Sequence, residues 1–251
     1  MHGIETGYYN GKNLKKTQTA FHNFSEPYTD SMVKNLTGEY KNILIYIHCW
    51  LGDFPLFHKS SLRSLKNVKN IDRIIAIEWH GEGLSYKWNY ENAAFEGKKA
   101  SNLLHKMLTT TSGNKYYLLC HSMGNSLVQG ALKDLNKNEV KFEHIVLAGT
   151  DLDLNSFREG VDMETIANKL TVFTHRNDRI LKLASISHRK KRMGQMDPAI
   201  LNEFYKGRNI TFINAADMNV AYTDGLSNHS YFKSAPFIDW MNHNLIMVKQ
   251  D

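Results

Sequence analysis

The sequence predicts a doubly wound α/β fold, in which a mostly parallel sheet is flanked by helices. Ile, Leu, Val and aromatic residues run almost unbroken through six short segments: 42–48, 73–79, 115–120, 144–150, 170–175 and 209–214. Continuous apolar runs of this length are typical of strands that are buried on both faces of a parallel sheet. Between these runs, apolar residues recur at spacings of three and four, which favours amphipathic helices. Strands that alternate with helices define the fold class.

The clearest helical stripes lie on either side of the third predicted strand. Each stripe marks the core-facing side of a helix, and the members are Ala93, Gly97, Ala100, Leu104, Met107 and Leu108, and then Leu127, Val128, Ala131, Leu132 and Leu135. The first 41 residues are less regular, and we expect a leading antiparallel hairpin from Tyr8-Tyr9 and residues 17–24. Residues 179–208 show two helical patterns and predict a helical insertion.

Length and composition are those of one large domain. The chain has 251 residues, 42% of them hydrophobic, which is enough for one sizeable core, so we predict a single α/β domain over residues 1–251. Cap domains are often inserted after the fourth strand of such folds. Only about 18 residues separate Asp151 from the next strand, so no large cap domain is expected.

Charge and targeting signals restrict the possible partners. The sequence has no apolar run of about 18 residues that would form a transmembrane helix. Residues 1–16 lack the apolar core of a signal peptide, which favours a cytoplasmic protein. The net charge is +6, and the basic run at 188–192 is interpreted as a solvated helix face, with contact to phosphates or an anionic membrane as the alternative. No nucleic-acid-binding motif accompanies it, so no nucleic-acid partner is expected.

Two cysteines, Cys49 and Cys120, are too few for a disulfide scaffold or a Cys-rich zinc site. They end two strands that are expected to be neighbours. We interpret them as reduced, inert thiols rather than as a redox switch.

The candidate nucleophile is Ser122, in the stretch Cys120-His121-Ser122-Met123-Gly124. This stretch follows an apolar strand and opens a helical pattern. A sharp turn between a strand and a helix exposes the serine hydroxyl, and the helix N-terminus presents free N–H groups to developing negative charge. The alternative role is a helix N-cap, where serine is also favoured. Cys120 stands where such turns usually have glycine.

A serine nucleophile needs a base, a group that orients the base, and N–H donors for the oxyanion. The backbone N–H groups of Trp50 and Met123 are the candidate donors. His48, in the same loop as Trp50, is interpreted as a structural histidine that hydrogen-bonds the loop backbone. The base is predicted to be His229, at a junction between loop and helix after the last strand.

The acid follows a late strand, and the sequence offers two candidates. Asp178 comes directly after the fifth predicted strand and is preferred, because that loop is the commoner source of the acid. Asp151, after the fourth strand, is the alternative acid. Helix N-capping is the structural role open to either aspartate.

The order Ser122, Asp178, His229 resembles that of the α/β-hydrolase superfamily. More closely, the chain resembles uncharacterised bacterial α/β hydrolases with lipase- or esterase-like sequences. The segments that carry this likeness are Ile47-His48, Glu78-Trp79, His121-Ser122-Met123-Gly124-Asn125, Val146-Leu147-Ala148-Gly149-Thr150-Asp151, Asn177-Asp178-Arg179 and His229-Ser230-Tyr231. The chain departs from the superfamily pattern at Cys49 and Cys120, where that pattern has glycine.

The resemblance implies a serine carboxylic-ester hydrolase that acts through an acyl-enzyme, on a small-molecule or lipid acyl ester, with no metal or organic cofactor. The alternatives are a thioesterase or amidase, and a catalytically silent scaffold that acts as a binding module. Six aromatic residues are candidates for an acyl pocket or for ordinary packing under loops: Trp50, Phe54, Phe57, Trp79, Tyr86 and Trp88. The sequence leaves acyl specificity and oligomeric state open.

Overall fold

The structure is a computed structural model, and it describes residues 5–9, 14–15, 28–49, 54–79, 85–111, 113–133, 135, 141–159, 163–218 and 227–246. These residues include one eight-stranded sheet with the order β2-β1-β4-β3-β5-β6-β7-β8. The strands are β1 (Glu5–Tyr9), β2 (Leu14–Lys15), β3 (Asn42–Ile47), β4 (Arg73–Glu78), β5 (Lys115–His121), β6 (His144–Ala148), β7 (Leu170–Thr174) and β8 (Ile210–Asn214).

Six strands, β3 to β8, pair in parallel, and they are the six strands that the sequence predicts, with ends shifted by one or two residues. The predicted leading hairpin is partly present. β1 contains Tyr8-Tyr9 and pairs antiparallel with β2 and with β4. The return strand is therefore Leu14–Lys15, and residues 17–24 lie outside the described residues.

Eight helices lie in the described part of the chain, and they pack on both faces of the sheet. They are α1 (Asp30–Thr37), α2 (Phe54–Leu65), α3 (Tyr86–Thr110), α4 (Gly124–Leu132), α5 (Leu154–Glu159), α6 (Arg179–His188), α7 (Pro198–Phe204) and α8 (Ala235–Asn244). The two helical patterns predicted in residues 179–208 are α6 and α7. None of the described helices combines the length and the apolar character needed to cross a membrane.

The alternation of side chains along the strands produces two cores. On β3, Ile43, Ile45 and Ile47 face the core that α1, α3 and α4 cover, whereas Leu44 and Tyr46 face the core under α2 and α8. Because successive side chains on a strand point to opposite faces, an unbroken apolar run is what a doubly covered sheet requires. The predicted fold class is confirmed.

The strand order also locates the functional edge. From β3 the chain passes to β4 on one side and then crosses to β5 on the other. The carboxyl ends of β3 and β5 therefore flank the point where the winding direction reverses. Ligands of open α/β sheets bind in the crevice at such a point, which directs attention to the residues that follow Ile47 and His121.

Candidate active site

Ser122 lies in a sharp turn between β5 and α4. Its φ is 56°, in the left-handed region, which is strained for a residue with a side chain and recurs at functional sites. The Ser122 N–H donates to the Ala148 carbonyl at 2.9 Å, and the Asn125 side-chain amide donates to the Ser122 carbonyl at 2.6 Å. Hydrogen bonds on both sides of the residue therefore hold the turn in its strained conformation.

Gly124, the last residue of the motif, allows α4 to approach β3. A β-carbon at Gly124 would lie 2.6 Å from the His48 carbonyl oxygen, so any larger residue would push the helix away. Cys120 is fully buried in β5, where its small side chain is accommodated. Cys49 and Cys120 are free cysteines. Burial raises the pKa of the Cys49 thiol to about 11 and that of Cys120 well above its ordinary value, so both are neutral.

Asp178 and His229 form a buried hydrogen-bonded pair. His229 Nδ1 lies 2.7 Å from Asp178 Oδ2, and the two residues are 6% and 1% exposed. The other carboxylate oxygen, Asp178 Oδ1, accepts the Leu181 N–H at 2.9 Å as the N-cap of α6. Asp178 therefore caps α6 and also binds His229, and the capping bond fixes the orientation of the carboxylate that faces the imidazole.

Two contacts place His229 beside the serine turn. His121, the residue before Ser122, has its ring centroid 4.7 Å from that of His229, and its Nε2 lies 3.1 Å from the His229 carbonyl oxygen. The Ser122 N–H is bonded to Ala148, and a β-carbon on the next residue, Gly149, would meet His229 Cε1 at 3.2 Å. Ser122 and His229 therefore flank the same end of β6, and the glycine leaves room for the imidazole.

His121 and Tyr231 hold this histidine loop, and their part in the site was not predicted from the sequence. A carbonyl oxygen accepts, so His121 donates from Nε2 and is in the Nε2–H tautomer. Burial, reinforced by His229, lowers the pKa of His121 well below its ordinary value. The Tyr231 hydroxyl accepts the Gly149 N–H at 2.5 Å and donates to the Phe173 carbonyl at 3.1 Å. The sequence signal for this contact was Tyr231 itself, an aromatic residue two positions after the candidate base His229.

Two hydrogen bonds hold the residue after β3 to the residue after β4. The His48 ring nitrogen Nε2 accepts the Trp79 N–H at 3.3 Å, and the Trp79 indole N–H donates to the His48 carbonyl at 3.1 Å. These bonds fit the structural role predicted for His48, and the partner that they show is the buried Trp79 at the end of β4. Trp50, the predicted oxyanion donor from the loop after β3, lies outside the described residues, as does the side chain of Phe57.

Met123 is the other predicted oxyanion donor. It precedes the first residue of α4, and intrahelical bonding begins with the Asn125 N–H, which donates to the Ser122 carbonyl at 3.0 Å. The Met123 N–H is therefore one of the N-terminal groups without an acceptor inside the helix. Its position next to Ser122 suits it to bind negative charge that develops on a substrate oxygen.

The sequence model of one protein family, described as "Alpha/beta hydrolase of unknown function (DUF900)", matches residues 26–249. The chain belongs to this family of α/β hydrolases. The predicted superfamily resemblance is thus confirmed, and Ser122, Asp178 and His229 all lie within the matched range. No curated protein sequence matches the chain.

Several solved structures are similar to this chain at low sequence identity. A putative hydrolase from Agrobacterium vitis S4 is 12% identical, with a TM-score of 0.48, and the alignment covers 97% of this chain and 92% of that one. A predicted CIB-like hydrolase from Thermoplasma acidophilum is 12% identical, with a TM-score of 0.46 and coverage of 96% and 99%. A serine hydrolase without a lid from Xanthomonas campestris is 9% identical, with a TM-score of 0.39 and coverage of 68% and 70%.

Asp151, the alternative acid, has different partners in this α/β hydrolase. Its Oδ1 lies 3.2 Å from Arg192 Nε, an ion pair without hydrogen-bond geometry, and its Oδ2 accepts a short hydrogen bond from the Tyr86 hydroxyl. Burial raises the pKa of Asp151 to about 6, against the opposing influence of Arg192 and Tyr86. The structure therefore brings Asp178, and not Asp151, into hydrogen-bond contact with His229.

The basic run at 188–192 is not one solvated helix face. α6 ends at His188, whose ring packs on Tyr86 and Tyr90 with centroids 5.1 and 4.7 Å away. Arg189 to Lys191 are exposed, whereas Arg192 is fully buried, with its guanidinium 4.5 Å from the centre of the Tyr90 ring. A run of five similar side chains is thus divided by the end of the helix into a packed part and a solvated part.

Metal chemistry has no candidate ligand set in the described ranges. Among those residues, no group of three or more His, Cys, Asp or Glu side chains is arranged to hold a metal ion.

Proposed function

We propose that the protein is a serine hydrolase that cleaves a carboxylic ester or a related acyl bond through Ser122, His229 and Asp178. The observation that carries the proposal is the 2.7 Å hydrogen bond between His229 and the buried carboxylate of Asp178, beside a serine in a left-handed turn. This is the arrangement that a weak hydroxyl nucleophile requires, since the base must be near and must be oriented.

In the proposed reaction, the Ser122 hydroxyl oxygen attacks the ester carbonyl carbon while His229 Nε2 takes the hydroxyl proton. Asp178 accepts the hydrogen bond from Nδ1–H, which stabilises the imidazolium. The Met123 N–H binds the tetrahedral oxyanion, and Trp50 remains the proposed second donor. Collapse of the intermediate expels the alcohol, which receives the proton from His229. Water then repeats the sequence on the acyl-enzyme, with His229 again as the base.

An ester is proposed ahead of a thioester or an amide on the basis of the sequence resemblance, and the same three residues serve all of these bonds. A panel of acyl esters, thioesters and amides of graded chain length would rank them by kcat/KM. A higher kcat/KM for thioesters or amides than for every ester would replace the ester assignment and leave the acyl-enzyme mechanism in place.

Covalent labelling with a fluorophosphonate tests the mechanism directly. We expect the wild type to be labelled on one serine and Ser122→Ala to be unlabelled, with ester turnover lowered by roughly 10⁴-fold or more. Ser126→Ala is the matched control, because Ser126 is a buried serine in α4 that donates to the Asp151 carbonyl at 3.3 Å. It should label like the wild type. A folded wild type that neither reacts nor turns over any ester would instead support the silent scaffold.

A further inference from the structure

Helix α6 presents apolar side chains to solvent, which the proposed reaction does not use. Leu183 and Ile186 are 64% and 67% exposed, and Ile180 is 40% exposed. Leu181 and Ala184 form the opposite, buried face. Residues three apart share one side of a helix, so Leu183 and Ile186 form a continuous apolar ridge on the outer face of α6.

Cations surround this ridge. Residues 176–191 contain six lysines and arginines and a single acidic residue, the buried Asp178, which gives a net charge of +5 out of +6 for the whole chain. All six cations are exposed: Arg176, Arg179, Lys182, Arg189, Lys190 and Lys191. We call the three apolar residues and these six cations the α6 surface.

Acidic groups on neighbouring elements offset little of this charge. Asp153 lies 3.5 Å from Lys190, and Asp151 is engaged with the buried Arg192. On α3, the charge of Glu91 raises the pKa of His188 and the charge of Lys87 lowers it. The remaining five exposed cations of the α6 surface form no ion pair with another described residue.

Both ends of α6 are fixed to the catalytic edge of the sheet. Its first residue follows Asp178, which binds His229. After its last turn the chain returns to the carboxyl ends of β6 and β7, where the Gly194 N–H donates to the Thr150 carbonyl at 3.0 Å and the His175 N–H donates to the Gly194 carbonyl at 2.7 Å. Helix α6 is therefore attached, at both ends, to the edge of the sheet that carries Ser122.

We propose that the α6 surface docks the protein peripherally on an anionic lipid bilayer, with Leu183 and Ile186 inserted among the headgroups and the surrounding cations on lipid phosphates. An apolar ridge bordered by Lys and Arg is the side-chain pattern of helices that lie in the membrane interface. The positive charge selects an anionic surface, since each Lys or Arg near such a surface strengthens binding by roughly fivefold.

Vesicle flotation tests the docking. The wild type should float with equimolar phosphatidylcholine and phosphatidylglycerol vesicles, bind weakly to pure phosphatidylcholine, and lose affinity at high salt, because surface charges are screened within about 8 Å at physiological ionic strength. Leu183→Ser/Ile186→Ser should weaken binding on the order of tenfold. Lys182→Gln/Lys191→Gln should weaken it on the order of 20-fold.

Matched controls distinguish this surface from any exposed apolar or basic residue. Ile200 and Phe204 on α7 are 64% and 58% exposed, and Ile200→Ser/Phe204→Ser should bind vesicles like the wild type. Lys66→Gln/Lys69→Gln, at exposed sites before β4, should also have no effect. Ser122→Ala should float normally, so docking is measured separately from the proposed catalysis.

Three results would overturn the proposal. The first is a wild type that fails to float with anionic vesicles. The second is binding that is unchanged by Leu183→Ser/Ile186→Ser and by Lys182→Gln/Lys191→Gln. The third is an oligomer, seen by light scattering, that Leu183→Ser/Ile186→Ser converts to monomer without any loss of vesicle binding; the α6 surface is then a contact between copies of the chain. Thermal melting of each variant checks that the fold is intact.

Discussion

Asp178 and Asp151 follow neighbouring parallel strands, and both are 1% exposed, but they have different partners. Asp178 accepts from an imidazole and from a helix N-terminus, whereas Asp151 faces a guanidinium and a phenol. Position at the end of a strand therefore does not decide what a carboxylate does. The side chain that it meets does, and the imidazole, guanidinium and phenol all come from distant parts of the chain. In the proposed mechanism Asp178 orients the base, whereas Asp151 lies against the buried guanidinium of Arg192.

The comparison is tested most strongly by removing each negative charge in turn. Asp178→Asn should lower kcat/KM for an ester by roughly 10³–10⁴-fold, because the amide no longer stabilises the imidazolium. The helix should be retained, since Asn caps as well as Asp. Asp151→Asn should lower kcat/KM by less than about tenfold. Steady-state kinetics on both purified variants decide the matter, and the opposite ranking would make Asp151 the acid.

The ion pair between Asp151 and Arg192 should matter more for the free energy of unfolding than for activity. Arg192→Met leaves a buried carboxylate without its cation and should lower the free energy of unfolding by about 3–5 kcal/mol. Asp151→Asn should have a similar effect, because Arg192 is fully buried. Urea denaturation of both single variants and of Asp151→Asn/Arg192→Met gives the coupling energy. Additive losses would mean that the 3.2 Å contact between Asp151 and Arg192 contributes nothing specific.

Substitution of His121, which contacts the His229 that binds Asp178, should have a smaller effect on activity. His121→Phe keeps a ring beside His229 but removes the donor to its carbonyl, and it should lower kcat by roughly 10–100-fold, with KM changed much less. His121→Gln can restore an N–H donor and should recover part of the loss. The pH profile of kcat/KM provides a second readout, since a displaced base shifts its acidic limb. Equal kcat for wild type and both variants would exclude a positioning role for His121.

The last prediction concerns the pH dependence of stability around Asp151. The pKa of Asp151 is about 6 in the folded protein, whereas an unperturbed aspartate, as in the unfolded chain, has a pKa of 3.8. The folded pKa is the higher one, so the stabilising contribution is present below pH 4 and is lost as the pH rises through 6, by at most about 1.4 kcal/mol per pH unit. In Arg192→Met this window should move to higher pH, because the cation that lowers the Asp151 pKa is absent. Urea denaturation from pH 4 to 7 measures both curves, and identical curves for wild type and Asp151→Asn would refute the assignment.

The sequence was sufficient for the fold because the deciding signals are local. The unbroken apolar runs mark strands covered on both faces, and Gly124 marks the close approach of α4 to the His48 carbonyl. The order of Ser122, Asp178 and His229 along strand ends likewise follows from the winding of the chain. The confirmed strands therefore put these three residues on one edge of the sheet.

Contacts between distant side chains were not predictable in the same way. Arg192 appeared in the sequence as one of four lysines and arginines that follow His188, and nothing local distinguishes it from the exposed Lys191. Its burial depends on Tyr90 and Asp151, which come from α3 and from the end of β6. Similarly, Tyr86 was a candidate for an acyl pocket, but its hydroxyl is bonded to Asp151. Periodicity shows which face a residue occupies and leaves its partner undetermined.

The long separations within the site have a consequence for folding. The imidazole of His229 meets Asp178 across 51 residues and His121 across 108, and Asn242 of α8 accepts the Lys69 N–H across 173. Contacts between residues so far apart in the sequence close large loops and form slowly. A nascent chain released before residue 229 would contain the nucleophile turn but no base. Activity should therefore appear only with the last cooperative step of refolding, later than the burial of tryptophan that reports collapse.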